Sequence, residues 1–220
     1  MGMPCDPFQM TVIHRAFRTE FGNLPGLIRA VTPGDTGRST FVGKYLDNMI
    51  AVLHHHHAAE DEVLWPKLHQ RIPASDNEVR RAEDAHAGVA ALVDKVQSAR
   101  SSWAGSADPR LGEQLGSAVN ELSTRLNEHL DDEEQNLVAP IGQYVTPAEW
   151  QAFIDRGAAY VSPSNVWFAL AFAGVMLRGA TAGEQQHFLA SLPFALRMVL
   201  KLLGRRAYAT YQTKLYGAPA

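Results

Sequence analysis

The stretch His54-His55-His56-His57-Ala58-Ala59-Glu60-Asp61-Glu62-Val63-Leu64-Trp65-Pro66 decides how the chain reads. Glu60 follows His56 by four residues, so on a helix the two side chains stack one turn apart on one face. A second copy lies downstream, His129-Leu130-Asp131-Asp132-Glu133-Glu134-Gln135-Asn136-Leu137-Val138-Ala139-Pro140, in which His129 aligns with His56, Glu133 with Glu60 and Leu137 with Leu64. Each copy follows a further histidine at nearly the same distance, 42 residues from His14 to His56 and 43 from His86 to His129. The order His, His-x3-Glu, His, His-x3-Glu lets four helices bring four imidazoles and two carboxylates to one interior point.

The apolar periodicity around these residues is helical. Met10, His14, Phe17, Phe21 and Leu24 form one stripe of a helix expected over 8–31, with Gly22 and Pro25 expected to bend or interrupt it. Phe41, Tyr45, Met49, Val52, His56, Glu60 and Leu64 form the stripe of a second helix over 36–65, which Pro66 should end or kink. Ser75, with Glu78 three residues on, predicts a capping box for a third helix over 76–103. Its inward side is Val79, Ala82, His86, Val89, Val93 and Val96. Leu111, Leu115, Ala118, Leu122, Leu126, His129 and Glu133 face inward on a fourth helix over 110–139. Short connections between four amphipathic helices predict an all-α fold, an up-down-up-down four-helix bundle with additional C-terminal helices. The bundle is expected over 1–146. A helical extension over 147–220 is expected in three pieces, 146–159, 162–178 and 182–215, none carrying a histidine–carboxylate pair.

Bulk properties exclude several classes. The net charge of −3 argues against nucleic acid as a partner. The single cysteine, Cys5, rules out an internal disulfide framework and a thiolate-rich metal site, and such a thiol is expected at the solvent. Hydrophobic residues make up 46% of the chain, enough for a substantial core. The start of the chain shows no secretory pattern. Gly2 would suit myristoylation, but Asp6 stands where that motif wants Ser or Thr. The longest apolar run, Val166 to Leu177, falls short of the roughly 18 residues that span a bilayer. Cytoplasmic localisation is the expectation.

Buried carboxylates and clustered imidazoles are costly in an apolar core unless a cation compensates them. Two glutamates and four histidines are too many for one tetrahedral zinc and suit two ions. They predict a pair in which each ion takes two histidines and both carboxylates bridge. Mixed imidazole and carboxylate donors point to non-haem iron, with manganese or zinc as competitors.

The run His56-His57-Ala58-Ala59-Glu60 followed by Leu64-Trp65-Pro66 resembles the signature of hemerythrin-like (HHE cation-binding) domains, and the resemblance covers residues from about Phe8 to Tyr144. It implies a di-iron centre of two iron ions, oxo- or hydroxo-bridged, with His14, His56, His86 and His129 as terminal ligands and Glu60 and Glu133 as bridges. It further implies that the centre binds dioxygen, senses it or redox state, or reacts with hydrogen peroxide or nitric oxide. The tail resembles the helical extensions of actinobacterial members more weakly. Oxygen-carrying members hold a second histidine one turn after the third-helix ligand, where this chain has Ala90. A site one imidazole short shifts the expectation from carrier to peroxidase- or catalase-like redox chemistry on small ligands, with a water, a tyrosinate or an open position in its place. The alternative is a reversible dioxygen carrier or an oxygen, redox or iron sensor without turnover.

Two assignments stay open in the sequence. His57, three residues before Glu60, rivals His56. Glu134 rivals Glu133. Taken singly, a core histidine is more often a hydrogen-bonded structural residue, and that reading suits His86 alone but not the paired set. His54, His55, His69 and His187 are expected outside the site, Trp65, Phe17, Phe21 and Leu64 in the core, and Asp61, Glu62, Asp131 and Asp132 on a solvated face from which hydrogen bonds to imidazole are still within reach. The tail carries Arg197, Lys201 and Arg205 among Leu192, Leu196, Val199, Leu200 and Leu203. Its apolar helices are expected to cover the bundle or form a homodimer interface, with an anionic membrane surface as the alternative.

Overall fold

The computed structural model describes residues 4–217, whose regular secondary structure is helical throughout, with no strand. Gly2, weighed above as an acylation site, lies outside the described residues. Helix α1 spans Phe8–Arg29 and passes through Gly22 and Pro25 unbroken. Burial of Phe21, Leu24 and Ile28 outweighs the hydrogen bond that Pro25 cannot donate. Helix α2, Thr36–Ala59, is capped by Asp35, whose carboxylate accepts from the Arg38 N–H.

Pro66 does not end the second helix. The residues Glu60–Leu64 form a π-helical segment, and α3, Trp65–Arg71, follows directly with Pro66 in its first turn. The Trp65 N–H donates to the Glu60 carbonyl, five residues back. That wider turn accommodates the proline ring, which would otherwise press on the carbonyl four residues earlier. Helix α4, Asp76–Ala104, forms without the predicted capping box: the Ser75 side chain makes no cap bond. A 3₁₀ turn at Pro73–Ser75 leads into it, and the Asp76 carboxylate pairs instead with His69 and Arg80. Helix α5, Pro109–Asn136, is capped by Asp108. Leu137 breaks it, and α6 covers Val138–Tyr144.

Further helices follow. Thr146 and Glu149 close a full capping box at α7, Pro147–Gly157. Helix α8 is Val166–Arg178 and α9 is Ala182–Ser191. The predicted single last helix is divided, because Pro193 stops α9. Helix α10, Phe194–Val199, runs through a second π-helical segment, Leu200–Gly204, into α11, Arg205–Tyr216.

The described residues form two compact units: one gathers 4–7 with Phe17–Tyr160, and the other gathers Phe8–Ala16 with 161–217. In the first unit, nearly all the predicted inward side chains are buried, with Phe41, Val93 and Leu111 half-buried. Arg29 forks on to Glu113 with bonds of 2.8 and 2.9 Å, and the Ser39 hydroxyl donates to the Ala104 carbonyl at 2.7 Å. Cys5, expected at the solvent, is half-buried with its thiol 3.4 Å from the Ile141 carbonyl, and burial pushes the thiol up to about 11.

Tyr45 donates to the Glu20 carboxyl at 2.6 Å in the core. Burial raises the Glu20 pKa above the ordinary 4.5, and the Tyr45 hydroxyl offsets only part of that rise. The stability this acid contributes is therefore complete below its unfolded value and is lost as pH climbs through the raised folded one. Glu20→Gln keeps an acceptor for Tyr45 and removes the charge. The variant is expected to be more stable than the parent at neutral pH, with the difference closing in acid, as urea midpoints at the two pH values would show.

In the second unit, Leu170, Ala171, Leu200 and Ala207 make the core, with Phe188, Leu192 and Tyr211 against it. Helices α8 and α11 meet closely at Gly174, where a Cβ would stand 2.7 Å from the Tyr208 Cβ. That neighbour sits next to the backbone and cannot swing aside. Gly174→Ala is expected to cost about 1–3 kcal/mol, read as a loss of thermal stability.

Candidate metal centre

His56 and His57 are consecutive on the last turn of α2, so their side chains leave the helix about 100° apart. Glu60 follows at the first position of the π-helical segment and lies between their directions, four residues from one and three from the other. The two histidines consequently serve opposite sides of the same carboxylate. His57, Glu60, His86 and His129 form one donor group and His14, His56 and Glu60 another, the ligand atoms of each group all lying within 4.8 Å of one another. All six residues are buried. His14 sits on α1, one turn before Phe17.

In the first group the His57 ring stacks on His86 with centroids 4.0 Å apart. His129 stands edge-on to both, at 5.1 and 4.8 Å. The His86 Nδ1 lies 2.8 Å from the Asp61 Oδ1, and its Nε2 lies 3.4 Å from the Glu60 Oε2. Because the carboxylate of Asp61 can only accept, the Nδ1 of His86 carries the proton. With the proton on Nδ1, the Nε2 is the ring atom left to bind a cation, and it faces the Glu60 carboxyl. On the other side, the Glu60 Oε1 is 3.1 Å from the His56 Nε2.

Glu60 is fully buried, and neither of its oxygens nor the His86 Nε2 meets a hydrogen-bond partner of good geometry. Burial drives the Glu60 carboxyl well above its ordinary pKa, the Glu133 carboxyl beside it lowers it in part and Asp61 adds to the rise. Acceptors facing one another in a dry core are what a cation resolves. Metal–nitrogen and metal–oxygen bonds of about 2.0–2.2 Å place ligands of one ion no more than about 4 Å apart, and the donor atoms of each group already lie within 4.8 Å of one another. The residues present fit a bound metal. The donor set, imidazole and carboxylate with no thiolate, suits iron and also admits manganese or zinc.

Glu133 is fully buried, with its Oε2 3.6 Å from the His129 Nε2, and it lies outside both donor groups although it neighbours Glu60. Glu134 points elsewhere: with Asp131 it receives Arg18, at 2.7 and 2.6 Å. His54 is exposed and His55 half-buried. His69 pairs with Asp76 and Glu83, and His187 stacks on Phe8 at 4.2 Å. Ala90 is exposed on α4, so the second third-helix position has turned away from the buried face. The sequence predicts two histidines for each ion; the donor atoms gather in one group with three histidines and one with two. The added member is His57, and its sequence signal was the three-residue spacing to Glu60. Tyr45 is engaged with Glu20.

Apolar walls close the centre. The Phe17 and Phe153 rings lie 5.3 and 6.0 Å from His56, and Trp65 lies 6.3 Å from His86. Phe153 comes from α7, whose Arg156 forks on to Glu62 at 2.6 and 2.7 Å and reaches the His55 Nδ1 at 3.1 Å. Burial, with the charge of Arg156, lowers the His55 pKa.

No curated protein and no solved structure matches the chain. The family model for the hemerythrin HHE cation binding domain matches residues 8–141. That span takes in His14, both His-x3-Glu pairs and His86, and excludes α7. The chain belongs to the hemerythrin HHE cation-binding family.

Proposed function

We propose that the two donor groups hold a pair of iron ions that share Glu60, with Glu133 as a second bridge, and that the loaded protein acts on hydrogen peroxide, nitric oxide or dioxygen. The observation that carries this reading is the buried carboxylate with one histidine set on each of its oxygens. Bound iron would supply Lewis acidity and one-electron redox chemistry. The side chains do the rest. Asp61 fixes the tautomer and orientation of His86. Phe17 and Phe153 pack against His56 and Trp65 beside His86, which would keep bulk water from the bound ions. The His14, His56 and Glu60 group has one donor residue fewer than the other, so an ion held there would keep more room for a small ligand.

One observation favours the second reading, reversible dioxygen binding or sensing. His57 lies in the donor group of His86 and His129, where it would supply the imidazole that Ala90 leaves out. The two readings separate in one experiment. The reduced, iron-loaded protein is mixed in stopped flow with peroxide, with nitric oxide and with dioxygen. Turnover of peroxide or nitric oxide supports redox chemistry. Uptake of dioxygen that reverses under vacuum supports a carrier, and no reaction with any of the three refutes both.

A further inference from the structure

In the second unit, the stretch from Phe194 to Arg206 packs on its neighbours mainly through Leu200 and Gly204, which are buried. Around that narrow seam Phe194 is 75% exposed and Leu202 70%, and Leu196, Met198, Val199 and Leu203 are exposed beside them. A helix this apolar on nearly every side is normally enclosed. The same stretch is basic. Lys201, Arg205 and Arg206 are exposed, and Arg197 is half-buried against the Ala190 and Leu192 carbonyls. Residues 161–220 hold six Lys and Arg against one acid, Glu184, whereas the preceding residues hold fourteen against twenty-two.

We propose that this stretch lies on the surface of an anionic lipid bilayer, its apolar side chains at the acyl boundary and Lys201, Arg205 and Arg206 among the headgroup phosphates. The charge pattern selects this occupant. Face-to-face pairing with the same stretch of another molecule would set Lys201, Arg205 and Arg206 against their own counterparts. Among the described residues, the bundle unit exposes one large apolar side chain, Tyr144, so another molecule's bundle offers no apolar surface to receive it. No described helix is long and apolar enough to cross a membrane, which leaves the interface rather than a span. Lysine and arginine stems lie along apolar surface while their heads reach phosphate, so bases interleaved with leucines fit both zones of that interface.

Full-length protein is floated with vesicles of pure phosphatidylcholine and with vesicles of phosphatidylcholine and phosphatidylglycerol in equal amounts. It should float with the anionic vesicles only, and less at high salt. Replacing Lys201 and Arg205 by Gln should weaken partitioning about 25-fold, about fivefold for each charge. Phe194→Ser with Leu202→Ser should abolish flotation while helical circular dichroism and metal content stay unchanged. The proposal is overturned if the parent protein floats with neither vesicle. It is equally overturned if the paired serine variant floats as the parent does, or if that variant only dissociates a dimer that never floated.

Discussion

Glu60→Gln is expected to strip metal from both donor groups at once. Glu60 is the one residue common to them, with Oε1 towards His56 and Oε2 towards His86. Loss of an outer-shell partner of a ligand already costs about 10- to 100-fold in metal affinity; loss of a shared ligand should exceed that for each ion. The thermal response separates this outcome from misfolding. A metal present at a hundredfold excess over its Kd stabilises the folded state by about 2.7 kcal/mol. In a chain of this size that is roughly 5–10 °C in Tm, at about 2–4 °C per kcal/mol. Iron should raise the melting temperature of the parent and leave Glu60→Gln unmoved. Without metal the order reverses. The parent must then either ionise a carboxyl in an apolar interior or hold it protonated, and the amide removes that cost, so the metal-free variant should melt at or above the metal-free parent at neutral pH. A metal-free variant that is unfolded would contradict this account of Glu60.

His57→Ala should halve the iron content, from about two ions per chain to about one. The His14–His56–Glu60 group does not include His57, so its ion should stay, with an absorption spectrum that has lost the features of a bridged pair. His56→Ala should remove the complementary ion and leave the three-histidine group. His54→Ala and His55→Ala should retain both ions, because their side chains are exposed and half-buried respectively. Full retention of two irons by His57→Ala would return the site to the two-and-two arrangement that the sequence first suggests.

The helical stripes were legible because a period of 3.6 residues is written directly into which side chains are apolar. His14, His56, Glu60, His86, His129 and Glu133 sit in step with Phe17, Val52, Leu64, Val89 and Leu126, and the core encloses all of them. What the sequence concealed comes from local backbone geometry. Pro66 reads as a helix end or a kink, and a π-helical turn absorbs it and keeps Glu60, Leu64 and Trp65 on a continuous helix. An even α-helical register treats His56 and His57 as rivals for one position. Seen in three dimensions, they flank Glu60 and reach different partners, His14 for one and His86 for the other. A hydrogen bond from Asp61 to an imidazole was within reach in the sequence, and the structure makes it; its partner, the His86 ring 2.8 Å away across helices, is what no spacing within one helix encodes. Ser75 has the composition of a cap, yet the preceding 3₁₀ turn at Pro73–Ser75 sets a backbone from which its hydroxyl makes no cap bond. The same limit applies to Phe153, whose contact with His56 joins residues almost a hundred positions apart.

Metal analysis of the purified chain, with an absorption spectrum of the same sample, tests the pair of ions around Glu60 most directly. The expected result is about two irons per chain, with oxo-bridge charge-transfer bands in the near ultraviolet that vanish in Glu60→Gln. A protein that contains no metal, takes up none when offered ferrous iron and melts at the same temperature with and without it would contradict the account.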